Sequence, residues 1–275
     1  KLSKSKKMVF DWMLYLNLPI VYGLLFLTLH TVTTHNLNTY EIVGIVLSNG
    51  IVFGANGINV GHELGHRFTY ERFLGKALLL PATKYDPATA KYNQPVYLFW
   101  FTSSIGQYIN AWHTQFQLLK QNKHSFLSIY NDMFWYFIIT LTYLIAIFIA
   151  YDILGLQIAV LSAVTGFLLL ETVNYIEHYG LLRVKTSKNI YERVQEKHSW
   201  NSNHSLGRIM LYELTRHSDH HHRASKKYQI LEHKAQSPQL PYGYPTSVAL
   251  ALVPPLWFKV MNKRVPHELV ALAQN

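Results

Sequence analysis

Two long stretches of this chain contain no lysine or arginine. None occurs between Lys7 and Arg67, and none between Lys123 and Arg183. Each stretch has room for two membrane crossings of about 20 apolar residues. The first holds the apolar run Val9–Leu29, the polar stretch Thr31–Tyr40 and the run Ile42–Val60. The second holds Met133–Ala150, a break at Tyr151-Asp152 and Ile158–Thr172. Both read as helical hairpins, so the expected fold is all-α: a polytopic integral membrane helical bundle with a histidine-rich cap. Composition agrees. Of 275 residues, 49% are hydrophobic and only 15% are charged, against about a quarter charged in soluble domains. That excludes a disordered chain, a coiled coil and most soluble enzymes. A mean hydropathy of +0.05 requires very polar segments between the apolar ones.

Lysine and arginine also orient the hairpins. Lys1, Lys4, Lys6 and Lys7 precede the first crossing, while the turns Thr31–Tyr40 and Tyr151–Gly155 carry neither. The turns should face away from the cytoplasm, and both hairpins should return to the cytoplasmic side. The first run is long and lacks a small-residue cleavage pattern, so it reads as an anchor and not a signal peptide. The expected organisation is one domain, 1–275, with hairpins at about 9–60 and 133–175 and the cap at about 61–95 and 176–245. The aromatic-rich segment Val96–Ala111 suits the interface or a shallow dip. Ser247–Val260, with Pro254-Pro255 and Trp257, suits an interfacial helix. The block 181–235 is basic, as is the chain at net +10. Such a block suits either anionic lipid or an acidic protein partner; no nucleic-acid partner is expected.

Without cysteine, disulfides, thiolate zinc sites, iron–sulfur clusters and thiol nucleophiles are excluded. Histidine is abundant, at 15 residues, and its placement is ordered. His62 and His66 are four apart. His217, His220 and His221 stand at i, i+3 and i+4, one helical face, from which His222 departs. His178 ends a crossing at the same depth. Imidazole suits iron, zinc, copper or nickel, so the metal candidates are His62, His66, His178, His217, His220 and His221. Six exceed the needs of one tetrahedral zinc and suit one highly coordinated metal or a two-metal site. Glu63, Glu177, Asp219, His198 and His204 are candidates to support the ligands. His30, His35, His113, His124, His233 and His267 read as ordinary surface or packed residues. No catalytic residue beyond these emerges. His62–His66 also reads HExxH, the pattern of a zinc protease with Glu63 as base, but that would leave the 217–221 cluster unused.

Four segments then carry a resemblance. Gly61-His62-Glu63-Leu64-Gly65-His66, Asn174-Tyr175-Ile176-Glu177-His178-Tyr179-Gly180-Leu181-Leu182-Arg183, His198-Ser199-Trp200-Asn201-Ser202-Asn203-His204 and Arg216-His217-Ser218-Asp219-His220-His221 resemble the membrane alkane hydroxylases (alkane 1-monooxygenases), within the membrane fatty acid desaturase and hydroxylase superfamily. Asp86-Pro87-Ala88-Thr89-Ala90 belongs to the same likeness. The resemblance implies two non-haem iron ions and terminal hydroxylation of an alkane to a 1-alkanol with O2. It also implies electrons from rubredoxin with its reductase upstream, and a place in the bacterial inner membrane. The alternatives are a fatty-acyl desaturase or hydroxylase on the same metal plan, or an inactive metal-binding membrane protein.

The third possibility arises from a departure. The family carries a box of the form EHNxGHH between HELGH and DPATA, whereas Leu78-Leu79-Leu80 here runs directly into Pro81-Ala82-Thr83-Lys84-Tyr85-Asp86. The family also has a further hairpin before the position of Lys1, giving six crossings where four can be counted. The expectation is an incomplete chain, one ligand box short of a full di-iron site.

Overall fold

The structure, a computed structural model, describes residues 8–65, 90–183, 192, 195–222 and 226–274, the backbone alone at 221–222 and 272–274. His66, the Leu80–Asp86 junction and most of the DPATA segment lie outside the described residues. Three helical stretches are long and apolar enough to cross a membrane: Met8–Thr34, Thr39–Gly65 and Asp132–His178. Among the described residues the only β feature is an isolated bridge between Asn201 and Gln239.

The first span is two helices, α1 (Met8–Tyr15) and α2 (Asn17–Thr34). Pro19 has no N–H and removes the donor that Tyr15 O would meet in an unbroken helix. At this break Asn17 Nδ2 donates to Met13 O at 2.8 Å and Leu14 O at 3.2 Å. The second span starts on a capping box. Asn38 Oδ1 accepts from Glu41 N–H at 3.0 Å, and Glu41 Oε2 accepts from Asn38 N–H at 2.8 Å. It runs as α3 (Thr39–Val52), a π-helical segment (Phe53–Ile58) and α4 (Asn59–Gly65).

The third stretch, α6 (Asp132–His178), follows α5 (Val96–Gln121) and is broken at Asp152, where φ is 55°. The Asp152 carboxylate accepts the Ile153 N–H at 2.7 Å, which satisfies one of the free donors at the start of the returning arm. Helix α5 proves that the chain folds back there. Its Trp100 Nε1 donates to Thr172 Oγ1 at 3.1 Å, and its Gln115 Nε2 donates to Tyr130 O at 2.9 Å. Fifteen helical residues cover about 22 Å, whereas a straight helix would place residues 130 and 172 about 60 Å apart. The arms 132–151 and 153–178 therefore form a hairpin, which gives the described residues four apolar arms of membrane-crossing length. Thr172 and Asp132 are each about 30 Å from the turn, so α5 lies across the bundle at the histidine end, as the aromatic pattern suggested. Its Leu98, Phe101, Ile105 and Ile109 are exposed.

The second span runs parallel to the second arm of α6 in close contact. A Cβ on Gly166 would lie 3.0 Å from Gly50 O and 3.2 Å from Gly54 N, so both backbones meet at bare glycine. Of the glycines singled out in the second span, Gly54 thus serves helix packing. Thr28 and Asn49 add a buried hydrogen bond of 3.0 Å between the first two spans. Outward side chains such as Phe26, Leu161 and Ile149 are half-exposed or more, as lipid contact requires.

The cap packs on the hairpin ends. Tyr175, Tyr179, Trp200, Tyr244 and Trp257 form its aromatic core with α9 (Tyr244–Ala251) and α10 (Pro254–Met261), the short helices α7 (Ser205–Met210) and α8 (His217–His222) preceding them. Trp257 is 1% exposed, against Tyr175 and Tyr179, while α10 turns Leu256 and Lys259 outward.

Candidate metal centre

Two hairpins deliver His62 and His178 to one end of the bundle, and α8 lies across them. His62 Nε2 stands 3.0 Å from His220 Nε2, and His178 Nε2 stands 3.2 Å from His217 Nε2. The His217 and His220 ring centroids are 6.4 Å apart, so one helix contributes one ring to each of two adjacent pairs. The i, i+3 phase read from the sequence produces this.

The second pair shows what can lie between the rings. His178 Nδ1 is 3.2 Å from His198 O, an acceptor, so it carries the proton. His217 Nδ1 is 3.3 Å from Glu177 Oε1 and carries its proton likewise. Both Nε2 atoms then turn toward each other, where a metal ion bound between them would take both lone pairs. Two imidazoles side by side on one octahedral ion, with metal–nitrogen bonds of about 2.1 Å, place their nitrogens about 3.0 Å apart. The residues present fit a metal ion. Glu177, His178 and His217 also bring potential ligand atoms within 4.8 Å of one another. Glu177, however, meets His217 on its Nδ1 side and accepts the Tyr244 hydroxyl at 2.6 Å. It holds the ring rather than completing the ligand set. Burial, then the Glu177 charge and this hydrogen bond, push the Tyr244 phenol well above its usual range, so it remains a donor.

The other candidates divide. Glu63, 2% exposed, accepts the Tyr228 N–H at 3.2 Å, which anchors the cap to α4. His198 contributes its carbonyl to His178. Its ring is engaged elsewhere, Nδ1 accepting Gln195 N–H at 2.9 Å and Nε2 facing Glu192 Oε1 at 3.0 Å. Burial lowers the His198 pKa against the raising effect of Glu192. Asp219 turns toward two cations and an amide donor: Lys226 Nζ at 2.5 Å, Lys234 Nζ at 3.8 Å and the Glu232 N–H at 2.7 Å. Burial would raise its pKa; these partners outweigh that and hold it below the carboxylate range. Asp219 therefore fastens the segment 226–234 and is not directed at the rings. His204 is exposed at the start of α7, outside the cluster. The imidazole of His221 and that of His222 lie outside the described side chains, as His66 does altogether. His30, His35, His113, His124, His233 and His267 are exposed.

The basic block is less free than its charge suggests. Lys197 pairs with Glu192, Lys227 with Asp11, and Lys234 with Glu196, while Arg208 and Arg216 share Glu213. Sequence reading missed Tyr244, Tyr212 and Asn17. An uncharged side chain that acts through one hydrogen bond leaves no spacing signal, though an asparagine inside an apolar run was a visible cue.

The sequence model of the fatty acid desaturase family matches residues 10–248. Alkane 1-monooxygenase 2 of Alcanivorax borkumensis is 37% identical over 243 residues, 81% of this chain and 63% of that protein. Alkane 1-monooxygenase 2 of Pseudomonas aeruginosa is 38% identical over 242 residues, 81% of this chain and 64% of that protein. The alkane 1-monooxygenase of Ectopseudomonas oleovorans is 33% identical over 280 residues, 95% of this chain and 70% of that protein. The chain thus spans less than two thirds of the first two relatives. The matched residues include both spanning hairpins and all four paired histidines, and the chain belongs to the fatty acid desaturase family.

Proposed function

We propose that this chain carries most of a membrane di-iron monooxygenase that converts the terminal carbon of an alkane to a 1-alkanol. The observation that carries the reading is the pair of facing imidazole pairs, His62 with His220 and His178 with His217. His66 and His221 join them as proposed ligands. An alkane C–H bond has no acidic proton and no leaving group, so acid–base and nucleophilic routes cannot open it. Two iron ions, when bound, supply the O2-dependent oxidation. The chain's own residues supply placement. The His198 carbonyl and the Glu177 carboxylate fix the Nδ1 protons of His178 and His217 and so aim both Nε2 atoms inward. Tyr244 holds Glu177. The apolar spans let a substrate dissolved in the bilayer approach with its methyl end toward the rings.

Electrons come from outside in this reading, with rubredoxin as donor and its reductase upstream. Since the described cations of 181–235 are largely paired within the cap, that block serves cap cohesion first. The protein is placed in the bacterial inner membrane with every histidine box cytoplasmic, as one domain. The segment missing between Leu80 and Asp86 is proposed to supply further ligands. The test is product analysis. Membranes carrying the protein, with the EHNxGHH segment restored, are given rubredoxin, its reductase and an alkane. Formation of 1-alkanol supports the reading. Turnover of fatty-acyl substrate alone would favour a desaturase or hydroxylase, which the family also accommodates.

A further inference from the structure

Asn17 is a polar side chain 1% exposed inside the first span. Besides satisfying the carbonyls at its own helix break, it reaches two other elements. Its Oδ1 accepts from Asn56 Nδ2 at 2.7 Å and from the Tyr212 hydroxyl at 3.2 Å. Asn56 lies within the π-helical segment of the second span, and Tyr212 lies in the cap loop that leads to α8. The next polar residue of the second span, Asn59, closes the same circuit by donating through Nδ2 to Leu211 O at 3.1 Å.

Each end of the circuit precedes a proposed ligand. Asn59 is one helical turn before His62, and Tyr212 is five residues before His217. The π-helical segment is not a neutral detail. One added residue turns the helix that follows by about 100°, which decides the direction in which His62 points. Asn56, inside that segment, holds it against the first span, and Asn59, just after it, holds it against the cap. Tyr212 has the unfavourable φ of 51°, a conformation that a bulky residue keeps only where its surroundings hold it. The Tyr228 ring packs edge-on against it at 5.6 Å, and the Tyr228 N–H binds Glu63, next to His62.

We propose that Asn17 is a positioning residue: it sets His62 in register with His220 and His217, acting through the Asn56–Asn59 segment on one side and Tyr212 on the other. The inference rests on the metal-site reading above. It differs from a plain packing role because a second buried polar pair, Thr28 with Asn49, joins the same two spans further from the histidines and touches neither ligand-bearing segment.

The experiment compares Asn17→Leu, Tyr212→Phe and Thr28→Val with the parent protein in detergent micelles, all four with the EHNxGHH segment restored. Anaerobic Fe(II) titration gives the half-saturation concentration. The ligand-field bands of the Co(II)-loaded protein give the coordination geometry, and thermal unfolding of the metal-free form gives stability. Changes around metal ligands of this kind typically cost about 10- to 100-fold in affinity. The result expected is a rise of about 10-fold or more in half-saturation, with altered Co(II) bands, for both Asn17→Leu and Tyr212→Phe. Thr28→Val should lower thermal stability and leave half-saturation and bands unchanged. Equal shifts in all three variants, or none in the first two, overturn the proposal. Should Asn17→Leu not fold, Tyr212→Phe, which deletes one hydroxyl, decides alone. A parent protein that binds neither ion would contradict the metal-site reading itself.

Discussion

Replacing Gly166 by alanine should weaken the bundle, although alanine is the better helix former. In an open helix position the exchange gains about 0.5–1 kcal/mol. At Gly166 the new Cβ would lie 3.0 Å from Gly50 O, 3.2 Å from Gly54 N and 3.4 Å from the Phe53 Cβ. Non-bonded carbon contacts settle near 3.5–4.0 Å. Two of the three neighbours are backbone atoms that no rotamer change can move, so the second span and the α6 arm must separate by several tenths of an ångström. Overpacking of this type costs about 1–3 kcal/mol. The net expectation is a loss of about 1–2 kcal/mol after the propensity gain is subtracted. Gly44→Ala is the control, because nothing lies within 4 Å of its added Cβ; it should be neutral or stabilising. Unfolding in mixed micelles gives both values. The Gly166 variant should also bind Fe(II) more weakly, since the separated helices end in His62 and His178. Equal stability changes at the two glycines would refute the close-contact reasoning.

Tyr244→Phe should reduce Fe(II) affinity about 10-fold by releasing Glu177 from below His217, measured by the same titration with the fold checked by circular dichroism. In the protein with the EHNxGHH segment restored, either His178→Ala or His220→Ala should remove most bound iron, whereas His222→Ala should leave it, because position 222 departs from the face shared by 217, 220 and 221. Equal iron loss at 220 and 222 would contradict that helical phase. Asp11→Asn should change stability by no more than about 1 kcal/mol, since its partner Lys227 is partly exposed and such pairs contribute little. For orientation, a single cysteine at His35 should react with an impermeant thiol reagent in intact cells, and one at the exposed Leu206 only after lysis. The cysteine-free chain gives no background, and the reverse pattern would invert the topology.

The spans were legible because lysine and arginine are costly in lipid, and their absence marks the crossings without any knowledge of packing. The break at Tyr151-Asp152 was legible for the same reason: a carboxylate midway along an apolar stretch twice the bilayer length is hydrated where the chain turns. The phase of 217 and 220 followed from helix geometry. What the sequence did not reveal acts by single contacts. The π-helical segment Phe53–Ile58 has no compositional mark, since it is held by Asn17 and Leu211 from elsewhere in the chain. Asp219 adjoins His220 in the sequence and His198 stands in a histidine-bearing motif with His204, yet Asp219 faces Lys226 and the His198 ring faces Glu192. A neighbour in sequence shares a position but not a direction. That Trp257 packs on Tyr175 and Tyr179 was not legible either, because tryptophan favours both interfaces and aromatic cores.

The central claim is that facing imidazole pairs hold two iron ions once the ligand set is complete. The direct measurement is iron per chain by elemental analysis, with 1-alkanol formation from rubredoxin-supplied electrons followed in the same samples. It is made on the chain as it stands and after insertion of an EHNxGHH segment between Leu80 and Pro81. The account predicts fewer than two irons and no alkanol before insertion, because six imidazoles divided between two ions leave about three each, short of the five or six that stable iron takes. After insertion it predicts two irons, with alkanol formed. Two irons and alkanol already present before insertion would contradict the ligand assignment.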